Sequence, residues 1–377
     1  MEAVDKLLEW AETEGVKLNG IKPSLIPGRG IGIVAQRDIK ENEVVITVPH
    51  KLLRTYDSTP KHIVTALKGC TVHGILAASV CLETDPSFAI WKATWPTVED
   101  FDIDIPMRWP LELRDLVPHY AKALLVKQQG KFERDWRLCR DAFPHDFTKD
   151  QYMYAWLIVN TRSFYHTTPK TERFHKHDHM ALQPVSDLFN HASVGCHVKY
   201  DADGFTILAN KDHKAGQELY IRYGHHSNDF LLIEYGFVVP CHENPFDDTC
   251  IDVYMCPRFT VAQSEIMAAN KYWGNFMVDN NAPCYRSQVA ARVLGLPEED
   301  WPGVFAGTRD DGPDSEETKR QLAFVLRLYE KDIRRIMNEI ARSYDGEEES
   351  RELLRRRWLE VKEMIQTTIA RLEDDDD

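Results

Sequence analysis

No apolar run in this chain approaches the 18 residues that a membrane-spanning helix needs. A transmembrane role is excluded on that reading, and no membrane partner is expected. There is also no CxxC pair. The eight cysteines (Cys70, Cys81, Cys139, Cys196, Cys241, Cys250, Cys256 and Cys284) are scattered through 377 residues, a chain too long to need disulfide staples, and they read as reduced thiols. A basic excess is missing too. With 46 Lys and Arg against 60 Asp and Glu, the net charge of −14 repels phosphate backbones, so direct nucleic-acid binding is disfavoured. The same charge attracts Lys/Arg-rich polypeptides, although a modest acidic excess also keeps many cytosolic proteins soluble. The N-terminal stretch MEAVDKLLEWAETEGVKL reads as an amphipathic helix carrying Leu7, Leu8 and Trp10, not as a secretory leader, and the expected location is cytoplasm or nucleus. Neither an internal repeat nor a disordered composition is found: 43% hydrophobic and 28% charged residues describe an ordinary folded protein.

What is present is a β-rich unit split in sequence. After a turn-rich stretch, KPSLIPGRGIG, the β-branched runs IGIVAQRDI and EVVITVPH read as a hairpin joined by Lys40, Glu41 and Asn42. From about 60 to 165 the strand pattern fades into helical spacing, as in HIVTALKGCTVHGILAASVCLE and DQYMYAWLIVNTRSF. Strand signals return at MALQPVSDLF, CHVKYDADGFTILAN and QELYIRYG, with Asp203 and Gly204 as a tight turn. Beyond Pro240 a loop-like CHENPFDDTC leads into helices, with DDGPDSEE as a linker. Two C-terminal helices carry apolar stripes, Leu322, Val325, Tyr329, Ile333, Ile336 and Ile340 on one and Leu354, Trp358, Val361, Ile365, Ile369 and Leu372 on the other, and are expected to pack together. The terminal run Asp374 to Asp377 reads as a solvated tail. The fold class is α+β: a split β-rich unit with a helical insertion over residues 1–244, then an all-helical domain over 245–377.

Three segments carry the chemistry when taken jointly: Gly28-Arg29-Gly30-Ile31-Gly32, Asp187-Leu188-Phe189-Asn190-His191, and Glu218 to Gly224 followed by Glu234-Tyr235-Gly236-Phe237. Singly, each reads as a hairpin turn, a capped core histidine or a pair of core tyrosines. The glycine-rich turn leads into a strand, so it is neither a dinucleotide nor a P-loop fingerprint. In combination, they resemble the SET domain, where a glycine-rich hairpin, an NH segment and an ELYIRYG-like strand meet at one cofactor site. Asn160-Thr161-Arg162-Ser163-Phe164 resembles the SRxF element of the branch containing Rubisco large-subunit methyltransferase, and SNDFLLIEYGFV (Ser227 to Val238) looks like that branch's fungal members. The branch carries a long helical insertion and a helical C-terminal domain, both of which were read here from periodicity. The resemblance covers residues 20 to 240 by motif and the remainder by architecture only.

The resemblance implies a protein-lysine methyltransferase that uses S-adenosylmethionine, releases S-adenosylhomocysteine and needs no metal. It implies cofactor contacts from Arg29, Gly30, Ile31, Arg162, Phe164, Asn190, His191, Tyr223 and Phe237, with Tyr223 and Tyr235 as catalytic residues. Thr161, Arg162, Asp187 and Tyr235 would line the substrate channel. Relatives often carry an acid where Arg29 stands, so its side chain departs from the pattern. The implied substrate is a non-histone protein, as in members that act on ribosomal proteins or translation factors, and the chain is expected to be a monomer. Methyl transfer from a sulfonium is an in-line displacement by a neutral amine, so positioning and exclusion of water are the main demands. Tyr223 is expected to orient the amine and not to act as a general base. Transfer to histidine, a catalytically silent scaffold and a small-molecule substrate are the alternatives; the resemblance implies that Tyr235 favours lysine.

Other signals are set aside. The run His175, His177, His179 suits a surface loop better than a metal site, because no convincing four-ligand set accompanies it. Cys241, Cys250 and Cys256 lack the tight CxC spacing of the zinc cluster that follows many histone-modifying SET domains. Trp91, Trp95, Phe101 and Trp109 read as a packed loop at the root of the insertion. Arg351, Arg355, Arg356 and Arg357 read as a solvent face laced with salt bridges.

Overall fold

The computed structural model describes residues 1–201, 204–309 and 316–374. The chain divides into two compact units, residues 1–101 with 127–225 and residues 102–126 with 226–377. This division differs from a boundary at 244: residues 226–244 and a segment of the insertion group with the C-terminal helices. In chain order the elements are α1 (Glu2–Thr13), β1 (Lys17–Leu18), β2 (Ile21–Ile26), β3 (Gly30–Ala35), β4 (Val44–Val48), α2 (Lys61–Ala66), α3 (Val72–Cys81), α4 (Phe88–Lys92), α5 (Val98–Asp104), α6 (Leu111–Arg114), α7 (His119–Ala142), α8 (Lys149–Arg162), β5 (Phe164–Tyr165), β6 (Met180–Ala181), β7 (Asn190–Asp201), β8 (Gly204–Leu208) and β9 (Glu218–Ile221). Then follow α9 (Asn228–Tyr235), β10 (Asp248–Cys250), α10 (Asp252–Met255), α11 (Val261–Ala269), β11 (Met277–Asp279), α12 (Tyr285–Gly295), α13 (Trp301–Ala306), α14 (Glu316–Arg342) and α15 (Glu348–Asp374). The α+β class is as expected. Among the described residues, no helix is long and apolar enough to cross a membrane, and the described cysteines other than Cys241 are free thiols.

The first unit is built on a seven-stranded sheet in the order β1-β4-β8-β7-β9-β3-β2. Its core face carries Ile33, Ile46, Val48, Phe205, Ile207 and Leu219, all fully buried. Every pairing is antiparallel except β7 with β9. The β3–β4 hairpin expected from sequence does not form: β3 pairs with β2 and β9, and β4 with β1 and β8. Between them Ile39 bridges His213, and the Asn42 N–H donates to the Ala209 carbonyl at 2.8 Å. These bonds commit the connection to the β8–β9 loop, so a local turn signal yields to long-range pairing. MALQPVSDLF is likewise not one strand: Met180–Ala181 pairs with β5, Leu182 bridges Arg54, and Ser186–Leu188 is a 3-10 turn. Asn190 therefore begins a strand and does not end one. The Asp203 half of the expected β7–β8 turn lies outside the described residues, as do most of the DDGPDSEE linker and the last three aspartates.

In the insertion, Thr71 caps α3 by accepting from the Gly74 N–H, and Thr148 with Gln151 forms a capping box at α8. α3 packs against α8 through His73, whose ring stacks on Trp156 at 3.9 Å. Trp91 and Phe101 lie on α4 and α5 and Trp95 and Trp109 in connections, and all four are buried, so the aromatic stretch is packed as expected.

In the second unit α14 and α15 pair along their apolar stripes, as their periodicity predicts. CHENPFDDTC is not all loop, since β10 pairs with β11. One charged residue corrects the expected solvent face. Arg357 is fully buried and donates Nε to Asp229 at 2.6 Å and Nη1 to Asp247 at 2.8 Å, whereas Arg355 does pair with Glu352 at the surface. Three-residue proximity in sequence put Arg357 among exposed arginines, but helical rotation turns it inward.

Candidate active site

The site grows from the β2–β3 turn. Gly28 and Gly30 adopt φ of +73° and +71°, a region that favours glycine, and a Cβ at either would meet nothing within 4 Å. The backbone there is uncovered. Two residues on, Gly32 is needed for the opposite reason: a Cβ would lie 2.5 Å from Glu218 Oε1 and 2.7 Å from Asn190 Nδ2. The Asn190 amide donates to Glu218 at 2.8 Å. Glu218 also accepts from the Tyr220 hydroxyl at 2.7 Å and pairs with Arg29 at 3.0 Å, and Arg29 donates to the Tyr220 hydroxyl. Glu218 and Tyr220 project from one face of β9 because side chains alternate along a strand, while Leu219 and Ile221 enter the core.

The parallel β7–β9 ladder sets Asn190 opposite Tyr220 and His191 opposite Ile221. Register then shifts until Cys196 meets Ile221, so residues 192–195 leave the ladder. The return works only with glycine, since a Cβ at Gly195 would lie 2.7 Å from Ile221 Cα. Just past β9, the Tyr223 N–H donates to His191 Nδ1 at 3.1 Å and its hydroxyl donates to the Phe189 carbonyl at 2.8 Å. The rings of His191 and Tyr223 lie 5.1 Å apart. Tyr223 keeps some exposure as a residue, yet the protein around its phenol pushes the pKa up to about 12, chiefly by desolvation. At neutral pH it is a hydrogen-bond donor.

A second group lies where α8 ends. Arg162 donates Nη1 to the Asp187 carbonyl at 2.7 Å and to its carboxylate Oδ2 at 3.2 Å. Asp187 Oδ2 also accepts from the Trp91 indole at 3.1 Å. Burial raises the Asp187 pKa, and the Arg162 charge opposes that rise. Arg162 Nε and Asp187 Oδ1 are buried without a partner. Ahead of them Val185, fully buried, holds φ +67° and ψ −45°, and the Ser186 N–H closes on the Pro184 carbonyl at 2.7 Å. This is a γ-turn of the strained kind, costly for a β-branched residue. It aims the Asp187 and Phe189 carbonyls at Arg162 and Tyr223.

The structure thus brings together Arg29 with Asn190 through Glu218, His191 with Tyr223, and Arg162 with Asp187. Phe164 packs edge-on against Phe205, and the Thr161 hydroxyl bonds back to Leu157 in its own helix. Ile31 pairs with Leu25 in the β2–β3 hairpin. Tyr235 and Phe237 belong to the second unit, flanking Gly236, the left-handed cap of α9, in an aromatic group with His226 and Phe230. Sequence reasoning gave no role to Glu218 or Tyr220, although their i, i+2 spacing beside Tyr223 was a usable signal. Trp91 and Val185 carried none. Of the three histidines in the HxHxH run, His179 is held by Tyr165 and by the Thr171 carbonyl; among the described residues no cluster of three or more metal-type ligands occurs.

A split sheet that joins a glycine turn, an Asn-His segment and a strand-terminal tyrosine defines the class. The SET-domain family model matches residues 30–224, more than half of the chain, and this chain belongs to the SET-domain family. It is 26% identical over 336 residues to mouse SET domain-containing protein 4, covering 80% of this chain and 75% of that protein. It is 23% identical to the ribosomal lysine N-methyltransferase set11 of Schizosaccharomyces pombe, covering 77% and 74%. The dog actin-histidine N-methyltransferase is 26% identical, but the match spans only 47% of that longer protein. Among solved structures, Rubisco LSMT bound to AdoMet shares the fold at TM-score 0.67 and 17% identity, over 99% of this chain and 92% of that one.

Proposed function

We propose that this chain transfers a methyl group from S-adenosylmethionine to a lysine of a non-histone protein. The observation that carries the reading is the joint placement of Asn190, His191, Tyr223 and Arg162 on one SET core. The residues present fit the methyl donor. An uncovered backbone at Gly28 and Gly30, and a buried guanidinium Nε of Arg162 without a partner, suit a ligand with both a polar ring system and a carboxylate. Arg29, Gly30, Ile31, Arg162, Phe164, Asn190, His191 and Tyr223, all in the first unit, would hold it. When bound, S-adenosylmethionine supplies the methyl group on a sulfonium.

The chain's own residues then position the acceptor. The Tyr223 hydroxyl, protonated at neutral pH and fixed on the Phe189 carbonyl, orients groups at the reacting centre without taking a proton. Thr161, Arg162 and Asp187 are proposed to line the lysine channel. A lysine drawn from water into such a site loses its charge more readily, because desolvation disfavours the ammonium.

The charge distribution supports a basic polypeptide as substrate. The first unit holds 25 basic and 25 acidic residues, the second 21 and 35, so the whole net charge resides in the unit with the C-terminal helices. That helical region is proposed to recruit substrate, and a ribosomal protein or translation factor in cytoplasm or nucleus is the proposed target of a monomeric enzyme. Histidine is the second reading, favoured by the similarity to actin-histidine methyltransferases. Incubation of wild type and Tyr223→Phe with tritiated cofactor and proteome, followed by mass spectrometry, separates these. Wild-type-dependent label on lysine supports the proposal; label on histidine, or none, overturns it.

A further inference from the structure

The proposed function leaves Trp91 without a part. It lies on α4 in the insertion, far in sequence from every site motif, buried against Phe88 and Trp95 in edge-on contacts of 5.6 and 5.4 Å. A tryptophan so packed needs no other reason to be there. Its indole N–H, however, is aimed at a carboxylate and not at a nearby carbonyl: Asp187 Oδ2, 3.1 Å away, the same oxygen that Arg162 Nη1 approaches at 3.2 Å. Packing alone does not impose this bond. The neighbouring Trp95 is equally buried, and its indole nitrogen has no partner. The strained turn at Val185 immediately precedes Asp187 in the chain.

We infer that Trp91 is a positioning residue for the methyl-donor site: its N–H fixes the Asp187 carboxylate, which in turn fixes Arg162. The inference rests on the reading that Arg162 holds the donor. A guanidinium fork binds well only when its plane is set in advance. Here one nitrogen, Nη1, is anchored twice on Asp187, leaving the buried Nε available. Without the indole donor, the carboxylate keeps Arg162 as its one side-chain partner and is free to rotate about its Cβ–Cγ bond.

Calorimetry with S-adenosylhomocysteine tests this on the full chain, independently of any protein substrate. Two forms are compared with wild type: Trp91→Phe, and a chain carrying β-(3-benzothienyl)alanine at position 91, which keeps the indole outline but replaces N–H by sulfur. Both are expected to bind about three- to tenfold more weakly, the size of effect expected from losing one hydrogen bond to a charged group at one remove. The benzothienyl chain should stay folded at the assay temperature, melting no more than about 5 degrees below wild type. In an Asp187→Ala background, which removes the acceptor of the indole N–H, loss of the indole N–H should cost no further affinity. Wild-type affinity in the folded benzothienyl chain, or additive losses with Asp187→Ala, overturns the inference alone. Failure of wild type itself to bind S-adenosylhomocysteine overturns the donor reading and this inference with it.

Discussion

Replacing Arg357 by methionine tests the second unit at its most exposed energetic point. The guanidinium is fully buried and uses all three nitrogens, on Asp229, on Asp247 and, through Nη2, on the Asp248 carbonyl at 3.1 Å. Methionine fills similar volume, so the cavity term is small and the loss is electrostatic. Two buried carboxylates remain. Asp247 retains the backbone and amide N–H groups of Asn228 at 2.8 and 3.2 Å, but Asp229 already has one oxygen without a partner. Breaking a buried pair by deleting one member costs about 3–5 kcal/mol, a large share of the ~5–15 kcal/mol that holds a domain together. With a urea slope of about 2 kcal/mol per M, the midpoint should fall by about 1.5–2.5 M, read from the fluorescence of the adjacent Trp358. Adding Asp229→Asn and Asp247→Asn should recover at least half of the loss, because the stranded charges go with the cation. A single-variant shift below about 0.5 M, or no recovery in the triple variant, would refute the reasoning. Asp229 lies in the first turn of α9, the helix that ends at Tyr235, so the single variant should also loosen that end in hydrogen exchange.

Three further outcomes are expected. Gly32→Ala drives a methyl into the Asn190–Glu218 contact and should weaken S-adenosylhomocysteine binding at least ~tenfold by calorimetry, whereas an alanine at the uncovered Gly216 should not. Tyr223→Phe removes the bond to the Phe189 carbonyl; turnover should drop by about ten- to hundredfold with cofactor affinity nearly unchanged, and a cost of ~1 kcal/mol in stability. Asp248, partly buried beside Asp247 and Asp229, has its pKa raised to about 6, first by burial and then by those charges. Its folded state favours the proton, so this group leaves stability intact below about pH 4, subtracts progressively as pH rises to about 6, and holds a full penalty of up to ~3 kcal/mol above that. Asp248→Asn should therefore raise the melting temperature at pH 7.5 and leave it unchanged at pH 4, as measured by calorimetric scans.

Local chemistry was legible in the residues. The glycines of the β2–β3 turn and the stripes of α14 and α15 follow from backbone preference and periodicity, and the joint order of Gly30, Asn190, His191 and Tyr223 was legible through its resemblance to the SET domain. The turn and the stripes depend on neighbours within a few turns of chain, and the family model matches across residues 30–224. What failed was non-local. The Lys40–Asn42 turn looked like a hairpin because strand pairing partners are not encoded in the turn; β8 and β9, more than 150 residues on, outcompete the local partner.

The sequence by itself therefore determined which segments are candidates for the site and which residue types stand in them. Only the tertiary structure decided who holds whom: Glu218 bridging Arg29 to Asn190, Trp91 reaching Asp187, and Arg357 withdrawn from a row of surface arginines to sit between two aspartates. The physical reason is one of range. Hydrogen-bond partners for buried polar groups must be found wherever the chain returns, and a charge is tolerated in the interior only where that return supplies its counterpart.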